Sequence, residues 1–110
     1  MSDPTPDHTT DMMFAANAAA SLARLLESVR AAGITAPATY MTRTDTTTEV
    51  YFNDDYIPGS VLAVRFSERA KAPFTASING ARFGVVLSPA WGSADQAIAS
   101  ARVLADRVAR

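Results

Sequence analysis

The sequence predicts an α+β domain in the order helix, five antiparallel strands, helix. Three observations predict it. Leu22, Leu25, Leu26 and Val29 recur at the i, i+3, i+4, i+7 spacing of an amphipathic helix. Between residues 38 and 87, runs that alternate apolar and polar side chains are divided by turn-forming residues. A second helical stripe closes the chain, beyond a Ser88-Pro89 step that stops the sheet. Short connections favour antiparallel neighbours, so the five strands are expected to form a meander.

Met1 to Thr9 has no periodicity and almost no apolar content, and reads as a disordered tail before a single domain over residues 10–110. The first helix is expected from Asp11 to Ala32, with Thr10 or Asp11 as its cap. Gly33 suits the left-handed position after the last turn, and Ile34 supplies the apolar contact of a Schellman end. The first half of this helix is unusual. Met12, Met13, Phe14 and the alanines after them are apolar nearly all round, more than one sheet can cover. That surplus points to a second helix or a second chain.

Two strands follow, Ala38 to Thr44 and Thr47 to Asn53, with Asp45-Thr46 as the turn. This register pairs Met41 with Val50 and Thr39 with Phe52 on one face, and Tyr40 with Tyr51 on the other. Asn53 to Gly59 reads as a loop and Ser60 to Ser67 as the third strand. Phe74 to Leu87 is the strongest hairpin candidate, because Asn79-Gly80 tolerates the positive φ of a type I′ turn. A bend there places Phe74, Ala76, Ile78, Ala81, Phe83, Val85 and Leu87 on the oily side. Thr75, Ser77, Arg82, Gly84 and Val86 fall on the mild side. Ser93 to Gln96 is a capping-box sequence, opening a helix from Ala94 to Ala109. Its buried stripe is Ala94, Ala97, Ile98, Ala101, Leu104, Ala105 and Val108, with Trp91 at its start.

Chemistry is sparse. The chain has 110 residues, one histidine, no cysteine and a net charge of −1. His8, in the expected tail, lacks the packed shell that a base or metal ligand needs. Thiolate chemistry is absent, and no serine sits in a Gly-x-Ser-x-Gly elbow. The five glycines are scattered, forming neither a phosphate loop nor a dinucleotide fingerprint. Asp54-Asp55 matches no calcium loop and reads as a turn. Neither a cofactor nor a metal site is expected, and no catalytic residue is assigned. The near-neutral charge gives no argument for nucleic acid or an anionic membrane. With neither a signal sequence nor a long apolar span in view, the expected location is cytoplasmic.

Three functions stay open. The first is a non-catalytic protein-interaction module, an adaptor, inhibitor or assembly factor that binds another protein and itself forms a homo-oligomer, a dimer. Its contact residues are Met12, Met13, Phe14, Tyr40, Tyr51, Arg65, Arg82 and Trp91. The second is a nucleic-acid binder stacking bases on Tyr40 and Tyr51, with Arg65 and Arg82 on phosphates. The third is an enzyme or ligand receptor with a pocket between sheet and helices, lined by Glu49, Tyr51 or Asp55.

Overall fold

The computed structural model describes the backbone of residues 7–54 and 56–109, and the side chains of residues 18–54 and 56–108. Seven elements follow in the expected order: α1 (Asp7–Ala31), β1 (Ala38–Thr44), β2 (Thr47–Asp54), β3 (Ser60–Ser67), β4 (Phe74–Gly80), β5 (Gly84–Leu87) and α2 (Ala94–Ala109). The strands form one antiparallel sheet in the order β1-β2-β3-β4-β5. It is an α+β fold with a meander sheet, as the sequence predicts.

Both helices lie on one face of this sheet. Leu25 and Val29 of α1 are fully buried with Val50, Phe52, Leu62 and Val64. Ala94, Ala97, Ile98, Ala101 and Ala105 of α2 close the same core over Phe74, Ala76 and Ile78. Small residues on α2 let it approach β4 closely, so the alanines matter as much as Ile98. Side chains alternate along each strand. Thr48, Val50, Phe52 and Asp54 point inward from β2, and Ser60, Leu62, Val64 and Phe66 from β3.

The end of α1 follows the expected chemistry. Gly33 takes φ +94°. Ile34 N–H bonds the Val29 carbonyl at 3.2 Å and Gly33 N–H bonds the Arg30 carbonyl at 3.0 Å, the two bonds of a Schellman motif. Ile34 packs against the core. The start differs: α1 begins at Asp7, four residues early, so Thr10 and Asp11 lie within the helix rather than at its N-terminal boundary. Residues 1–6 of the expected tail lie outside the described residues. At α2, the Ser93 hydroxyl accepts the Gln96 N–H at 3.2 Å and donates to Gln96 Oε1 at 3.0 Å. The glutamine therefore reaches the hydroxyl rather than the Ser93 backbone. Val108 is exposed, not buried as its place in the stripe implies.

The β1–β2 register is as read, with Met41 opposite Val50 and Tyr40 opposite Tyr51. Asp45 turns the chain at φ +55°. Thr39 does not pair with Phe52: a bulge brings Ala38 there instead, and the Thr39 hydroxyl donates to the Tyr51 carbonyl at 3.2 Å.

The β4–β5 hairpin corrects the sequence reading. Asn79 and Gly80 lie within β4, and Ala81, Arg82 and Phe83 make the turn. Gly80 pairs with Gly84, and Gly84, at φ +76°, reverses the chain. The register is pinned from the far end. Ser88 N–H donates to the Ala76 carbonyl at 2.8 Å and its hydroxyl accepts the Ala76 N–H at 2.9 Å. Phe74 and Trp91 exchange two more backbone bonds, of 3.0 and 2.7 Å. Four hydrogen bonds across the sheet outweigh the local turn preference of one dipeptide. The pairing sum moves by an odd number, so β5 reverses its faces. Val86 packs against the core, while Val85 and Leu87 point to solvent.

Among the described residues, no helix is long and apolar enough to cross a membrane.

Candidate protein interface on the open sheet face

With both helices on one side, no element among the described residues covers the other face of the sheet. Its side chains fall into three rows. The middle row crosses all five strands: Tyr40, Tyr51, Ala63, Ser77 and Leu87 are successive partners from β1 to β5. On one side runs Thr42, Glu49, Arg65 and Thr75. On the other runs Asn53, Val61, Asn79 and Val85. Tyr40, Val85 and Leu87 are each more than 60% exposed, at 62, 64 and 61%. These are large apolar groups left in water at the two ends of one surface.

The centre of this face is ordered by its own contacts. The Tyr40 and Tyr51 rings lie 5.6 Å apart, tilted by 58°, a favourable aromatic geometry. The Tyr51 hydroxyl donates to Glu49 Oε1 at 2.6 Å. Arg65 donates to Glu49 Oε2 from NH2 at 3.0 Å and from Nε at 3.3 Å. The carboxylate beside it holds the Tyr51 phenol above its ordinary range, chiefly through that hydrogen bond. One acid and one base thus cancel, and the tyrosine stays a neutral donor. An open groove of about 390 Å³ next to them is lined by Thr42, Thr44, Asp45, Thr47, Glu49 and Arg65.

The predicted contact residues are only partly brought together. Tyr40, Tyr51 and Arg65 share the open face. Arg82 does not: the corrected hairpin places it in the β4–β5 turn. Trp91 lies in the connection before α2 and packs against the core beside Phe74, with its Nε1 buried and without a hydrogen-bond partner among the described residues. It anchors this connection to the sheet. The side chains of Met12, Met13 and Phe14 lie outside the described residues. One turn on, Ala18, Ala19 and Leu22 of α1 line an apolar groove of about 260 Å³ with Met41 of β1. A bend at Asn79-Gly80 puts Val85 and Leu87 in the core, whereas the observed turn puts them on the open face. Gly84 was the signal that could have found them, because a glycine four residues after another permits a longer turn closed by a left-handed residue.

Asp54 is not the exposed turn carboxylate the sequence suggests. It is buried, and its Oδ1 accepts the Tyr56 N–H at 3.0 Å and Arg102 NH2 at 3.1 Å. Arg102 also stacks 4.6 Å from the Tyr56 ring centre, and the Tyr56 hydroxyl donates to Asp106 at 3.0 Å. This cluster fastens the β2–β3 connection to α2. Asp55 lies outside the described residues. Among the described residues there is no cluster of three or more His, Cys, Asp or Glu suited to a metal.

No known family matches this chain, and no curated protein or solved structure matches it either.

Proposed function

We propose that the protein is a non-catalytic binding module whose helix-free sheet face docks another protein. The observation that carries this reading is the middle row from Tyr40 to Leu87. It is a band of aromatic, small and aliphatic groups spanning the full width of the sheet, about 19 Å at the usual strand spacing. Interface cores have this make-up: aromatics enriched, charges depleted. The charges beside the band are already paired, so a partner can cover Glu49 and Arg65 without stranding either one. The same pairing, with Arg82 away in the turn, weighs against phosphate binding by this face.

The test uses a variant whose changes point into solvent. Tyr40→Asp with Ser77→Arg should leave the fold intact by circular dichroism. A protein co-purified in fixed stoichiometry with the natural chain should bind this variant at least tenfold more weakly. Equal binding would overturn the reading. In parallel, a labelled single-stranded oligonucleotide at low salt should show no saturable binding; binding that falls steeply with salt would move the assignment to nucleic acid.

A further inference from the structure

The two edges of the sheet are treated differently. β1 is defended: it carries Arg43, a bulge at Thr39, and a side-chain hydroxyl turned back on its neighbour. β5 has none of these devices. Gly84, Val85, Val86 and Leu87 include no charge and no proline, and among the described residues no strand lies beyond them. The direction of its backbone groups follows from the pairing. Ser88 N–H bonds the Ala76 carbonyl, and bonded pairs alternate along an antiparallel ladder. Residues 84, 86 and 88 therefore face β4, and the N–H and C=O of Val85 and Leu87 point away from the sheet. Those are also the two residues whose side chains are most exposed on β5.

We propose that this edge pairs with β5 of a second copy, antiparallel about a two-fold axis through Val86. In that register Val85 lies opposite the partner's Leu87, and Leu87 opposite the partner's Val85. Every outward N–H and C=O of both residues is then bonded, and the four exposed side chains meet on one face. Arg82 lies in the β4–β5 turn, and antiparallel pairing sets the two turns at opposite ends of the seam. The four residues of β5 hold the two turns apart by about 13 Å at the usual rise per residue, beyond screening distance. The seam itself is uncharged, so like copies meet without repulsion. A two-fold pairing closes on itself and does not propagate into a fibre. Both open faces emerge on the same side, as one continuous sheet surface. The seam shares only Leu87 with the middle row that carries the proposed partner binding, and the partner-binding variant at Tyr40 and Ser77 leaves both seam residues unchanged.

Light scattering coupled to size exclusion should give twice the 11.7 kDa chain mass at about 100 µM. Val85→Lys with Leu87→Lys should halve the mass, because four ammonium groups then face each other. Val85→Glu with Leu87→Lys should restore the dimer by setting each acid opposite the partner's base. On the natural chain, the Val85 and Leu87 amide protons should exchange slowly at high concentration and quickly after dilution. A natural chain that stays monomeric overturns the proposal. So does a dimer indifferent to the double lysine, or fast exchange at both amides in every condition. An edge that instead captures an extended peptide would leave the natural chain monomeric and show no charge-reversal rescue.

Discussion

Glu68 shows how one side chain ties distant parts of the chain together. It accepts a hydrogen bond from Ser21 of α1 and an ion pair from Arg43 of β1 at 2.8 Å. Arg43 also donates to Thr48 of β2 at 2.8 Å. The Ser21 hydrogen bond, followed by those of Arg43, holds the Glu68 carboxyl below its ordinary 4.5. A carboxyl with a lowered folded pKa stabilises the fold above its unfolded value, and that contribution disappears as pH falls through the folded value. Glu68→Gln should therefore cost about 1–2 kcal/mol at pH 7. The gap between the two proteins should close as the pH drops below about 4.5, read from urea midpoints. None of this was legible in the sequence, since Ser21 and Glu68 are 47 positions apart.

At the scale of elements, local chemistry decided some boundaries and lost at others. The Schellman end of α1 and the Asp45-Thr46 turn formed where expected, because each is settled by residues within one turn of the chain. The β4–β5 hairpin did not, because Ser88 and Trp91 fix its register from outside the turn. The glycines then exchange roles. Gly84 carries the positive φ, while Gly80 is needed for space: a Cβ there would meet the Phe83 ring at 2.8 Å. Gly84→Ala should lower stability by about 1–2 kcal/mol, the usual penalty of a left-handed conformation for an L residue. Gly80→Ala should cost less, since the tip of a half-exposed ring can swing aside. A thermal melt in which Gly80→Ala is the worse of the two would contradict this assignment of roles.

For the whole molecule, the decisive arrangement is two helices on one face and none on the other. Leu25 is fully buried where α1 meets the sheet, in the same cluster as Ile98 of α2. Leu25→Ala should cost about 2–4 kcal/mol, a large part of a small domain's net stability. Unfolding should remain one cooperative transition by both tyrosine fluorescence and circular dichroism; separate transitions would mean that α1 holds on independently.

The sequence by itself determined the number, type and order of the elements, the interior of β2 to β4 and the β1–β2 register from Tyr40 to the turn. Those follow from periodicity and from turn chemistry confined to neighbouring residues. Only the tertiary structure decided which sheet face stays open, where Val85, Leu87 and Arg82 point, and that Asp54 is paired and buried. The reason is physical: alternation separates two faces of a strand without saying which one a helix will cover. A register can also be set by hydrogen bonds between residues whose distance along the chain hides their contact.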